Sequence, residues 1–293
     1  MNAIITGRPS LWHDIWPLTP LEKRQARNYE PLNLTSISVG NGWINGRVQY
    51  RTLVEFACGG AVDEGIMRLA NEEECRWAKR MVEKGEELID RCKDPMECAA
   101  AGQYTAGLAS FPYDQTGLNP YDYRRSTPYD ETGVVAFYNN ATVQAELGVI
   151  EADAAQKVWD AHSARVHMAY VYSGDWDVAT DFLFERLLRS GVSVLKYEGM
   201  VDWICNYIGI RRIMSNLPNF RHQESFNNLS MRDWHPQVRG PSAGTYKCLP
   251  GDAKSGDGNL CYVEIAGAGH ILSLDKAREG SLMIGRWMHG LLL

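Results

Sequence analysis

Apolar positions along the chain follow two rhythms. Short β-prone runs stand near positions 34–39, 192–197 and 262–265, and the stretches between and after them space their apolar residues as helices do. Leu34 to Val39 is β-rich and is closed by Gly40-Asn41-Gly42, which predicts a central parallel strand and a turn. Val192, Val194, Leu195 and Tyr197 form a second run that Gly199 breaks; Asp202 follows, and the apolar stretch from Trp203 to Ile208 predicts a helix. Tyr262 to Ile265 predict a third strand, Gly267 and Gly269 a tight turn, and Lys276 to His289 a helix with Leu282, Met283 and Trp287 on one face.

Between Arg47 and about Arg165 the pattern turns to helix and loop. Glu72 to Cys92 predicts a long charged helix with Trp77, Met81, Leu88 and Ile89 as its apolar side. Thr105 to Tyr129, rich in Tyr, Pro and Gly, predicts irregular chain. Asn140 to Leu147 and Glu151 to Ala164 predict two more helices, the first opening at an Asn cap. Ser173-Gly-Asp-Trp176 leads a helix from Asp177 to Arg189 that ends at Gly191 as a C-terminal glycine would end it. Residues 1–32 show no clean period. The chain therefore divides into an unmatched segment 1–32, a sheet strand and turn 33–46, a helical insertion 47–165 and a C-terminal α/β portion 166–293.

Ligands of α/β sheets bind at the carboxyl edge of the strands, which is where Asp202 and His270 both fall. Asp202 has two readings. It is either the N-cap of the following helix, accepting the free N–H groups of its first turn, or a carboxylate presented for chemistry. An Asp after one strand and a His after the next, in that order, are the last two members of the α/β-hydrolase triad. A literal Gly-x-Ser-x-Gly occurs at Gly240 to Gly244, but DWHPQVR precedes Ser242 and TYKCLPGD follows it. Neither the buried strand nor the helix of a nucleophile elbow is there, so Ser242 is not expected to attack.

Composition narrows the class. With 293 residues, 45% hydrophobic, the chain can bury a sizeable core. A net charge of −6 without a basic cluster argues against a nucleic-acid surface. Nothing approaches about 18 consecutive apolar residues, so no membrane span is expected. The start MNAIITGRPSLWHDIW lacks the basic opening and apolar core of a signal peptide.

The seven cysteines pull the other way: Cys58 and Cys75, Cys92 and Cys98, and Cys248 and Cys261 are local pairs, which leaves Cys205 single. That pattern suits an oxidising compartment, against the alternative that all seven are reduced and buried. Metal binding has little support, because Cys92 and Cys98 are too far apart for a CxxC knuckle and no histidine pair accompanies them. Sequons at Asn33, Asn140 and Asn228 lean toward secretion as well.

Several segments together resemble the serine carboxypeptidases of the carboxypeptidase Y type: NLTSISVGNGWINGRVQY at 33–50, NPYDYR at 119–124, SGDW at 173–176, YEGMVDWICNYIG at 197–209 and the stretch 267–290 around His270. The resemblance implies an α/β-hydrolase fold that is incomplete, holding the C-terminal strands of the sheet, with residues 47–165 as the cap. It implies Asp202 and His270 as catalytic acid and base, Cys205 as a free thiol beside the substrate site, and Ile271 as a substrate neighbour. The first two cysteine pairs resemble disulfides of the cap. No cofactor and no metal are implied; the partner is the C-terminus of a peptide or protein, with neither nucleic acid nor membrane. The family's vacuolar or secreted location is implied too.

The family's serine, in a GESYAG elbow, and its carboxylate-recognition residues belong upstream of the segment that matches 33–39. Within residues 1–32 the serine is Ser10 in GRPSLW, with neither a glycine after it nor a β run before it. The chain is therefore expected to be nearly inert alone, as a truncated form or as one part of an enzyme whose serine arrives on a separate N-terminal chain. The alternative is a non-catalytic binding protein on the same scaffold. Two departures stand inside the match: Met200 where the family has Asp, and Ile271-Leu272-Ser273 where it has Met-Val-Pro.

Overall fold

The structure is a computed structural model that describes residues 34–60, 64–150, 157–237, 240–252 and 254–291. Segment 1–32, the sequon at Asn33 and the first six positions of the helix expected from Glu151 lie outside the described residues.

Three parallel strands carry the architecture: β1 (Ser36–Gly40), β2 (Ser193–Gly199) and β5 (Leu260–Ile265). Antiparallel β3 (Arg232–Trp234) and β4 (Gly244–Leu249) extend the sheet, whose order is β1-β2-β5-β4-β3. Strands of a parallel sheet are covered on both faces, and every residue of β5 is buried accordingly. β1 was expected as a central strand; among the described residues it pairs on one side only, with β2, so it forms an edge.

Alternate residues of β2 and β5 point into different layers. Val194, Leu260 and Tyr262 pack against α7 (Phe182–Arg189) and α8 (Tyr207–Met214) through Phe184, Leu187, Ile210 and Met214. Leu195, Tyr197, Val263 and Ile265 pack on the opposite side with Met283 and Trp287 of α11 (Ala277–Met288). Met283 and Trp287 are the buried stripe that helical spacing predicts, and Leu282 stays outside it.

The insertion has a core of its own, built by α1 (Gly46–Ala57), α2 (Glu72–Arg91) and α3 (Pro95–Thr116) and closed by Trp203 and Tyr207 from the sheet domain. Two expectations are revised here. The fully buried side of α2 is Cys75, Ala78, Val82 and Gly85; of the expected apolar side, Met81 and Ile89 pack partly buried against this core, while Trp77 remains 38% exposed. Helix α3 lies so close that small residues are required: a Cβ on Gly85 would stand 3.1 Å from a Leu108 methyl. Residues 105–116, expected to be irregular, complete α3, where alanines at 99, 100, 101, 106 and 109 favour the helix until Gly117 turns left-handed at φ +67°. Packing of α3 on α6 (Ala164–Ser173) is closer still, since a Cβ on Gly102 would sit 2.0 Å from the Val171 carbonyl oxygen.

The remaining helices are short: α4 (Thr132–Tyr138), α5 (Ala141–Glu146) capped by Asn140 as expected, α9 (Gln223–Asn227) and α10 (Leu272–Asp275). Residues 157–163 are not helical, because Ser163 is an N-cap and α6 starts after it. The helix expected from Asp177 begins instead at Phe182 behind the cap residue Asp181, after a single 3₁₀ turn at Asp175–Asp177. Gly191 ends it at φ +81°. Disulfides join Cys58 to Cys75, Cys92 to Cys98 and Cys248 to Cys261, and Cys205 is free. Among the described residues no helix is long and apolar enough to cross a membrane.

Asp177 fastens the insertion to the sheet domain. Its buried carboxylate accepts from Tyr50 Oη at 3.0 Å and from Thr105 Oγ1 at 2.9 Å, and burial raises its pKa. Asp177→Ala leaves the Tyr50 hydroxyl buried without its acceptor, while Thr105 Oγ1 can still donate to Ala101 O at 3.0 Å, and unfolding in urea should show a loss of about 1–3 kcal/mol. A loss below about 1 kcal/mol would show that the contact holds nothing together.

Candidate active site

The parallel register decides which loops meet. Gly199 at the end of β2 stands opposite Ile265 at the end of β5, so the two following loops leave the sheet side by side. They are then sewn together, Met200 N donating to Ile265 O at 3.1 Å and Val201 N to Ala268 O at 2.9 Å. Gly199 permits this closeness, because a Cβ there would lie 2.3 Å from Gly269 O and 2.4 Å from Ala268 O.

Asp202 and His270 project from these loops and touch: Asp202 Oδ2 is 2.8 Å from His270 Nδ1. Asp202 Oδ1 accepts from the Cys205 backbone N–H at 3.2 Å. The carboxylate is fully buried and the imidazole is 16% exposed. Of the two readings of Asp202, the helix N-cap is corrected. The helix begins four residues later than expected, at Tyr207, and its cap is Asn206, whose Oδ1 accepts from Gly209 N at 3.0 Å. Trp203 and Ile204 lie ahead of the helix, and their N–H groups both donate to Pro120 O, at 3.1 and 3.0 Å.

The segment Asn119–Arg125 supports the histidine from the cap side. Tyr121 O accepts from His270 N at 2.8 Å, and the two rings lie 4.9 Å apart between centroids. Asp275 Oδ2 accepts from Gly269 N and from Tyr129 Oη, each at 2.8 Å. Asp122 gathers Arg124 and Arg125, the first at 2.9 Å, and these hydrogen bonds keep its pKa low despite burial. Spacing alone singled out none of these supports, although NPYDYR was already one of the segments carrying the resemblance.

Cys205 is buried three residues beyond Asp202. Burial and the neighbouring Asp202 push its thiol pKa well up, so it is a neutral thiol there and no ready nucleophile. The donor atoms of Asp202, Cys205 and His270 lie within 4.8 Å of one another, the one such metal-capable group among the described residues. A metal there would displace both the Asp202–His270 hydrogen bond and the thiol proton. Ile271 follows the histidine, half-buried, at the N-cap position of α10. Ser242 lies ahead of β4, its Oγ donating to Gly244 O at 2.8 Å, and no helix follows it.

The serine carboxypeptidase family profile matches residues 19–290. The chain belongs to the serine carboxypeptidase family. The match opens at residue 19, so it takes in part of segment 1–32, which was expected to be unmatched. Carboxypeptidase Y of Komagataella phaffii is 30% identical over 267 residues, covering 88% of this chain and 47% of that protein. Carboxypeptidase Y of Saccharomyces cerevisiae is 25% identical over 266 residues, covering 88% and 47%. The chain thus spans about half the length of the curated relatives it matches. Among solved structures, Kex1(Δ)p, a prohormone-processing carboxypeptidase from Saccharomyces cerevisiae, superposes with a TM-score of 0.64 at 19% identity, covering 94% of this chain and 59% of that one. The fold is accordingly the α/β fold of these carboxypeptidases, held in part.

Proposed function

We propose that this chain supplies the acid and the base of a serine-type carboxypeptidase that removes C-terminal amino acids from peptides through an acyl-enzyme. The observation that carries the reading is the 2.8 Å contact between the buried Asp202 carboxylate and His270 Nδ1 at the carboxyl edge of the sheet. With Nδ1–H held by Asp202, the neutral ring keeps Nε2 unprotonated and free to accept.

In the reaction, His270 Nε2 takes the proton of an attacking serine as its oxygen bonds to the last peptide carbonyl carbon. Asp202 steadies the imidazolium so formed. When the tetrahedral intermediate collapses, the C–N bond breaks and Nε2 returns its proton to the leaving amino nitrogen. Water, deprotonated by the same nitrogen, then splits the ester and frees the serine. On this reading the serine lies in the part of the relatives' length that this chain does not span, on a longer product or on a separate chain. Cys205 and Ile271 flank the substrate. Three disulfides favour an oxidising compartment, vacuolar, lysosomal or secreted. Asn140 and Asn228, both exposed, are the described sequons that could carry glycans there.

The test combines a blocked dipeptide with a serine-reactive fluorophosphonate, applied to the chain alone and to the chain co-expressed with a segment bearing the serine elbow. The expected result is no labelling of the chain alone and labelling of the added segment that disappears with His270→Ala. Labelling of the chain alone would overturn the assignment of the serine to another segment. Labelling of the added segment that survives His270→Ala would remove the base role, and no labelling at all would favour the binding-protein reading.

A further inference from the structure

The end of β1 carries an asparagine that touches both loops of the proposed site. Asn41 is 3% exposed and left-handed, with φ +45°. Its backbone N donates to Tyr197 O of β2 at 3.1 Å, and its Oδ1 accepts from Gly199 N at 2.8 Å. Its Nδ2 reaches across the end of β2 to the loop after β5, donating to His270 O at 2.7 Å and to Gly269 O at 3.3 Å. β1 and β5 are not neighbours in the sheet, so this amide is a direct tie between the first strand and the histidine loop. Combined with the bond from His270 N to Tyr121 O, it holds both main-chain polar groups of His270.

We infer that Asn41 is a positioning residue for the Asp202–His270 pair, fixing the backbone from which the imidazole projects; this rests on the reading proposed above. The chemistry of the site requires an amide. Both Nδ2 hydrogens point at carbonyl oxygens while Oδ1 accepts an N–H. A carboxylate would turn an oxygen toward the carbonyls of Gly269 and His270, and glutamine would be one methylene too long. Asn also tolerates the left-handed backbone better than most residues do. The buried amide spends its donors on Gly269 O and His270 O and its acceptor on Gly199 N, so its effect passes through the two loops to the histidine.

The measurement is the tautomer of His270, read from the ring ¹⁵N shifts of histidine-labelled chain at a pH where the ring is neutral. In the native sequence the Nδ1–H form should dominate. Asn41→Gly keeps the left-handed backbone and removes the amide, and Asn41→Asp keeps one acceptor and removes the donors. Both should lower the ratio of Nδ1–H to Nε2–H about tenfold, the shift expected from one lost buried hydrogen bond. Gln49→Ala, which deletes a buried amide elsewhere on the same stretch, should leave the ratio unchanged. An unchanged ratio in both Asn41 variants overturns the inference, and so does an equal fall in Gln49→Ala. Unfolding of both Asn41 variants also counts against it, since a positioning role leaves the fold standing. Asp202→Asn separates the two claims: if it leaves the native tautomer unchanged, the acid–base reading fails whatever Asn41 does.

Discussion

Lys196→Met is expected to destabilise the protein by about 3–5 kcal/mol, and Lys196→Met combined with Glu198→Leu to restore stability to within about 1 kcal/mol of the native sequence or beyond it. Both residues lie on β2, between β1 and β5, two positions apart and thus on one face, with no exposed side-chain surface. They pair with each other, and burial pushes the Lys196 ammonium down to about 7 while the Asp202 carboxylate pulls it back up. The second carboxylate oxygen of Glu198 has no partner, and the residue opposite it on β5 is Glu264, already neutralised by Arg211. Removing the lysine therefore leaves a carboxylate buried with no counter-charge, whereas removing both leaves an apolar strand of the kind parallel sheets favour. The deficit of the single variant should shrink in acid, because a protonated carboxyl costs less to bury than a carboxylate. Urea unfolding of the single and double variants at neutral and acid pH measures all three effects. A single variant as stable as the native protein would mean that the pair carries no compensating charge.

The part of the site set by strand ends was legible in the sequence. Gly199 and the residues before Gly267 mark where two β runs stop, and parallel neighbours stop at a common edge, so the sequence pattern alone puts Asp202 and His270 at one edge of the sheet. The cysteine pairs were legible because each closes a short loop. What escaped depends on contacts between distant segments. Trp203 and Ile204 have helical composition, but they face the distant Pro120 carbonyl, and α8 starts only at Tyr207 behind the Asn206 cap. The apolar residues of α2 suggested Trp77, Met81, Leu88 and Ile89 as its inner face. Met81 and Ile89 do pack against the core, but the close approach of α3 gives the fully buried positions to Cys75, Ala78, Val82 and Gly85, and no pattern within α2 announces it. Asn41 read as the middle of a Gly-Asn-Gly turn. Its partners stand 158 and 229 residues along the chain, brought within reach by a strand order that periodicity does not encode.

Asp202→Asn should lower turnover about 10⁴-fold in the enzyme reconstituted with its serine segment, with the affinity for a blocked dipeptide nearly unchanged. The size follows from which way the new amide must face. Asp202 Oδ1 accepts from Cys205 N, a buried backbone donor that keeps its claim on an oxygen. The asparagine therefore turns its oxygen to Cys205 and its NH₂ to His270 Nδ1, which the carboxylate now meets at 2.8 Å. Nδ1 must then accept, the ring proton moves to Nε2, and the nitrogen that should take the serine proton already carries one. His270→Ala removes the base altogether and should cost more, on the order of 10⁶-fold. Steady-state rates on a blocked dipeptide separate the two variants. A loss of under about tenfold for Asp202→Asn would mean that the carboxylate does not set the tautomer, and the acid–base assignment would fall with it.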